Sequence, residues 1–280
     1  MEFSMNRTWN EAVAMFRANF QLLAIVGGVF VLIPSLLIYM ALPDFFANLM
    51  LAENDPEAIE RMMASMLGPL ILWGTIGFLA QMIGYVAMIV LMGADRPTVG
   101  EAIVIGLKAV IPVIAATLLF GLIYLLLALV MALVIGGLAV ALGEGGAAVL
   151  GFVLVLALLL VTLYLAIRFV LTMPVIGLER AYNPLKAMVR SWRLTKVVAW
   201  RLFAFFLLLF IAYMVLSLVF MGIIGGAIGA IGGGAGGSFA IGLLNGVVGA
   251  LVAMIFSAIL VSLYRQLAGP GTAEVRETFE

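Results

Sequence analysis

The chain has 280 residues, 66% hydrophobic and only 10% charged, with its basic and acidic side chains balanced at zero net charge. An ordinary soluble domain is about a quarter charged, so this composition cannot cover an apolar interior in water and excludes a water-soluble fold. The absence of cysteine and histidine excludes disulfides, thiolate nucleophiles, imidazole bases and the usual zinc sites.

Six apolar runs follow in chain order, at about 22–42, 67–92, 109–142, 147–176, 199–224 and 239–267. Each supplies the ~20 residues that a helix needs to cross ~30 Å of hydrocarbon. The expected fold class is all-α: a polytopic membrane helical bundle of six transmembrane helices, forming one domain over 1–280. Pro34, Pro69, Pro112 and Pro174 fall within or at the ends of these runs, where kinks or helix starts are expected.

Ahead of the first run, residues 1–20 lack the basic stretch, short apolar core and small-residue cleavage site of a signal peptide. Thr8-Trp9-Asn10-Glu11 instead reads as a capping box that opens an amphipathic helix. Trp9, Val13, Phe16 and Phe20 recur on one face of it, and Trp9, Phe16 and Phe20 are expected as interfacial anchors. Between the first two runs lies an acidic loop with Asp44, Glu53, Asp55, Glu57 and Glu60. Asp55-Pro56-Glu57 predicts the start of a short outer helix through Met66. The seventeen methionines, Met62, Met63 and Met66 among them, read as apolar gap-fillers, and no metal site or cofactor is expected.

Thr98-Val99-Gly100-Glu101 is a second capping box before the third run. After the fourth run, Asn183 with Pro184 at the next position forms a third helix start. Each start precedes a pair of spans. The pattern reads as three repeats of an interfacial amphipathic helix plus a transmembrane hairpin, at about 4–92, 97–176 and 183–267, with a short tail at 268–280. In the third interfacial helix Lys186, Arg190, Arg193 and Lys196 share one side. Leu185, Met188, Trp192 and Ala199 occupy the other, as in a helix lying in the membrane plane.

Charge sets the expected orientation. With the N-terminus inside, the inner segments hold Arg7, Arg17, Arg96, Lys108, Arg180, Lys186, Arg190, Arg193, Lys196, Arg201, Arg265 and Arg276, and the outer loops hold Arg61 alone. That asymmetry predicts cytoplasmic termini in a bacterial inner membrane.

Arg168 is the one basic residue placed within a span. Because an intramembrane arginine costs at least ~2.5 kcal/mol, it needs a reason to be there. One reading is an arginine that reaches the interface or binds backbone carbonyls; the other is a site for an anionic group such as a lipid phosphate. With Lys186, Arg190, Arg193, Lys196 and Arg201 it forms the candidate anionic-lipid or phosphate-binding set. Gly222, Gly225, Gly226 and Gly229, with Gly242 and Gly246, form a small-residue stripe suited to helix packing or a pathway wall. The intervening tract 232–238 is expected as a loop. Neither a nucleophile with a base nor paired intramembrane aspartates can be assembled, so no catalytic residue is assigned.

The stretch Arg168-Phe169-Val170-Leu171-Thr172-Met173-Pro174, followed by Pro184-Leu185-Lys186-Ala187-Met188-Val189-Arg190-Ser191-Trp192-Arg193-Leu194-Thr195-Lys196 and Trp200-Arg201, resembles the membrane-domain family associated with bacterial glycerophosphoryl diester phosphodiesterases. The resemblance implies a membrane location and glycerolipid-related work. It carries no catalytic residues, because the phosphodiesterase chemistry of fused members belongs to a separate soluble domain. Three functions fit the residues: a non-enzymatic protein that binds, senses or handles anionic lipid or glycerophospho-compounds; a transporter or channel with a pathway between hairpins; or a scaffold subunit. The expected partners are anionic membrane lipid and a second copy or another membrane protein, with no nucleic acid.

Overall fold

The computed structural model describes residues 3–41, 56–231 and 235–269, all in helices and their connections, with no strand among the described residues. Six helical segments are long and apolar enough to cross a membrane: Phe20–Met40, Met66–Leu91, Val99–Ala141, Val149–Leu178, Ala199–Phe220 and Gly242–Ala268. The protein is a multi-pass integral membrane protein.

Helix α1 (Met5–Ala18) begins one turn before the expected cap. Ser4 is the N-cap, its Oγ accepting the Arg7 N–H at 3.4 Å, and Thr8 is buried inside the helix with its hydroxyl donating to the Ser4 carbonyl. Phe3 packs edge-on against Phe205, with ring centroids 6.1 Å apart, and this holds the chain at the earlier start. Glu11, no longer part of a box, pairs with Arg7 at 2.6 Å and accepts the Ser262 hydroxyl at 2.9 Å. Partial burial pushes its carboxyl upward, but these bonds and the Arg7 charge outweigh that and hold it below its ordinary range.

The first span is α2 (Phe20–Gly27), a wide π turn (Gly28–Leu32) and α3 (Ile33–Ala41). Pro34 has no N–H to give the Phe30 carbonyl, and immediately before it the Ile33 N–H reaches back five residues to Gly28. Helix α4 (Pro56–Leu91) runs unbroken through Pro69, so the short outer helix expected before Met66 is the opening of the second span; Asp55 lies outside the described residues. Residues 86–92 are buried at every position, which places this stretch in the centre of the bundle.

Helix α5 (Val99–Phe169) carries both the third and fourth spans and reverses at Gly143, whose φ of +71° favours glycine. A Cβ on Gly151 would meet the Ile135 side chain at 3.6 Å. These positions lie eight residues either side of Gly143, so the chain doubles back there. Its start matches the expected box in full: Thr98 Oγ1 accepts the Glu101 N–H, while Glu101 accepts the Thr98 N–H at 2.8 Å. No separate interfacial helix stands here, however; the amphipathic stretch continues into the span because nothing between Val99 and Ala141 breaks it.

After a break at 170–171 come α6 (Thr172–Leu178), α7 (Pro184–Thr195), α8 (Ala199–Ile231) and α9 (Ala235–Ala268). Asn183 caps α7 by accepting the Lys186 N–H at 3.1 Å, with Pro184 at the first helical position. The loop expected over 232–238 is shorter, since α9 begins at Ala235; 232–234 lie outside the described residues.

The buried side chains gather at one end of the bundle, where α1, α6 and α7 lie. Leu23, Val26, Met88, Ile89, Leu171, Ile176, Leu202, Leu260 and Leu263 meet there. In the sixth span 61% of the hydrophobic window is buried within the chain, against 0% in the third. The third span has 43 residues, roughly 65 Å of helix, and toward Gly143 it packs against the fourth span while many of its side chains stay exposed. Close approach between spans uses glycine: a Cβ on Gly106 would lie 2.7 Å from the Ile83 carbonyl oxygen, and one on Gly84 would meet Phe30.

Candidate functional site

The site is built on the break between α5 and α6. Pro174 cannot donate to the Val170 carbonyl, and the helix stops at that point. The hydroxyls of α7 repair the exposed backbone. Ser191 Oγ accepts the Leu171 N–H at 3.2 Å and donates to the Arg168 carbonyl at 2.9 Å, so one hydroxyl serves both sides of the break. Thr195 Oγ1 lies 3.2 Å from the same carbonyl and 2.9 Å from that of Ser191, to either of which its proton is given. Both hydroxyl residues are fully buried.

The Arg168 side chain is only 2% exposed. Its Cζ sits 4.0 Å from the centroid of the Trp192 ring and 5.8 Å from that of Tyr164. Nη1 donates to Thr195 Oγ1 at 3.4 Å, while Nε is buried without a hydrogen-bond partner. Trp192 also packs against Phe169 and Tyr164. Arg168 is therefore buried within the protein, and among the described residues it pairs with no carboxylate. An indole face, a hydroxyl and an aromatic cluster hold it under α7. Glu179, the nearest acid along the chain, is committed elsewhere: it pairs with Arg190 at 3.0 Å and accepts the Tyr264 hydroxyl at 2.7 Å, tying α7 to α9.

The remaining members of the basic set are placed differently. Ala187, Met188, Ser191 and Thr195 form the buried face of α7. Lys186, Arg193 and Lys196, with Arg201 at the start of α8, are exposed and form no ion pair among the described residues. Large apolar side chains stand beside them in the open: Leu185 at 60% exposure, Val197 at 91% and Trp200 at 76%, with Val189 half-exposed. The structure thus leaves Lys186, Arg193, Lys196 and Arg201 exposed along α7 and the start of α8, places Arg190 in an ion pair with Glu179, and buries Arg168. Of the expected anchors, Trp9 and Phe20 are exposed and Phe16 is half-buried against Phe20. Trp192 gives its face to Arg168, and Trp200 holds the exposed aromatic position that sequence reading did not assign.

Ser191 and Thr195 were also missed as functional positions. The available signal was two hydroxyl residues four apart on the inner face of a helix that follows a proline-broken span.

The glycine stripe divides. Gly242 and Gly246 face the first span, where added Cβ atoms would meet Tyr39 at 2.8 Å and the Leu32 carbonyl at 3.3 Å. Gly222 is exposed, with nothing within 4 Å of its added Cβ. The surroundings of Gly225, Gly226 and Gly229 lie outside the described residues.

No curated protein and no solved structure matched this chain. A family match does fall on the region just described and takes in the fourth span, α6, α7 and the last two spans. This multi-pass membrane protein is similar, over residues 147–268, to the family described as the membrane domain of glycerophosphoryl diester phosphodiesterase.

Proposed function

We propose that this chain is a non-enzymatic protein of the bacterial inner membrane, with both ends cytoplasmic, that engages the phosphate groups of anionic glycerolipids through α7 and the start of α8. The observation that carries the reading is that Lys186, Arg193, Lys196 and Arg201 are all exposed, as are Leu185, Val189, Val197 and Trp200 interleaved with them along the chain. Unpaired cations attract an anionic leaflet, and the apolar side chains gain by entering its acyl boundary. Arg168, Trp192, Ser191 and Thr195 set the pose of α7 from below. The family similarity at 147–268 supports glycerolipid-related work, and the bias of basic residues supports the orientation.

One observation favours a second reading, a scaffold for another copy or a membrane partner: Gly222 is open on α8, as a small-residue docking face would be.

Lipid retention by native mass spectrometry tests the first reading. Each cation near an anionic surface contributes ~1 kcal/mol. Replacing Lys186, Arg193 and Lys196 together by Gln should then weaken retention of phosphatidylglycerol roughly a hundredfold. Equal retention by the variant removes the proposal. The orientation is checked separately: the chain has no cysteine, so Val197→Cys gives a single thiol that an impermeant maleimide should reach from the cytoplasmic side only.

A further inference from the structure

A cavity of about 400 Å³ opens between the end of α1, the end of α4 and the last turn of α9, apart from α7. Arg96, Arg265, Asn19, Met15 and Met92 are among the residues lining it, and among the described residues no carboxylate does. Its volume is within the ~300–1,000 Å³ of small-molecule sites.

The polar groups of this cavity are unbalanced towards donors. The Met15 carbonyl is occupied by the Asn19 side chain at 2.9 Å, and the Met92 carbonyl by Arg265 Nη2 at 2.6 Å. That single bond leaves most of the Arg265 fork unspent. Arg96 is exposed and makes no hydrogen bond or ion pair among the described residues. Its φ of +43° is a left-handed conformation that favours glycine, yet an arginine occupies it. The helix ends of α1 and α4 bring roughly half a negative charge each. Two full guanidinium charges exceed them.

We propose that this cavity binds a phosphate ester, with Arg96 and Arg265 presenting guanidinium donors to its oxygens and Met15 and Met92 lining the apolar side. Guanidinium forks match phosphate oxygens in geometry and charge. The cavity lies at the ends of the second and sixth spans, a depth that both a lipid headgroup and a free glycerophosphate can reach. It shares no residue with the α7 surface and does not rest on that reading.

The test uses the full chain in phosphatidylcholine nanodiscs, with sn-glycerol 3-phosphate as the free probe and phosphatidylglycerol added to the bilayer as the lipid probe. Arg265→Lys keeps a donor for the Met92 carbonyl but removes the fork, and Arg96→Gly suits the left-handed backbone while removing the cation. Either change should weaken binding at least about tenfold. Lys108 is an exposed cation outside both the cavity and the α7 surface, and Lys108→Gln should leave binding unchanged. Saturable binding of the free probe with this pattern assigns a soluble phosphate ester, and retention of phosphatidylglycerol alone assigns a headgroup. The proposal is overturned if the unmodified chain binds neither probe, or if Arg96→Gly and Arg265→Lys both bind as it does. It is overturned equally if Lys196→Gln with Arg201→Gln abolishes binding of both probes while Arg96→Gly and Arg265→Lys do not, a result that leaves the α7 reading standing.

Discussion

The Cζ of Arg168 stands 4.0 Å from the centroid of the Trp192 ring, and the two residues come from opposite sides of the α5–α6 break. A buried cation held by an aromatic face behaves differently from one held by a carboxylate. Such contacts contribute ~2 kcal/mol or more when desolvated, and the charge is left stranded when the face is removed.

Trp192→Leu should therefore destabilise the protein more than Arg168→Met. The first strands a buried charge; the second replaces the charge with an apolar chain of similar length, a change that is often close to neutral. Thermal unfolding in detergent ranks the two, and the opposite order would refute the stacking account.

Ser191→Ala should cost about 2–4 kcal/mol, because it leaves both the Leu171 N–H and the Arg168 carbonyl short of a partner in a buried place. The Arg168 carbonyl keeps Thr195 in part. Amide exchange at Leu171 should accelerate more than exchange in the middle of α9. A uniform change across both would mean that Ser191 does not hold the break locally.

The Thr98–Glu101 box fixes the start of α5. Glu101 accepts from the Thr98 backbone N–H and hydroxyl, so Glu101→Ala should cost about 0.5–2 kcal/mol. Amide exchange in the first turn of α5 should accelerate while exchange in the middle of α9 stays as it was.

Much of this architecture can be read from the residues, for identifiable reasons. The spans are visible because a membrane helix states its length in its own composition. The caps at Thr98 and Asn183 are visible because each satisfies its own first turn. At α1 the residues point to a cap at Thr8, but the helix starts from Ser4, where Phe3 packs against Phe205, some two hundred residues away. The setting of Arg168 is hidden for the same reason: Trp192 and Thr195 reach it across a break and a connecting turn. Arg96 and Arg265 are still further apart along the chain, and only the meeting of the second and sixth spans makes them neighbours.

Glycine substitutions should divide by what faces them. Gly106→Ala pushes a Cβ toward the Ile83 carbonyl oxygen and should separate α4 from α5, costing about 1–3 kcal/mol. Gly121→Ala, with nothing within 4 Å, should be neutral or should gain up to about 1 kcal/mol from helix propensity. Melting temperatures of the two variants in one detergent decide the matter.

The uneven burial of the six spans has a mechanical consequence. A bundle fastened chiefly at one end can take up a change in bilayer thickness at the other, where the long α5 hairpin is free to lean. Thinning or thickening of the surrounding lipid is then absorbed as tilt of that hairpin, and the geometry around Arg168, Ser191 and Arg265 stays the same from one membrane to another.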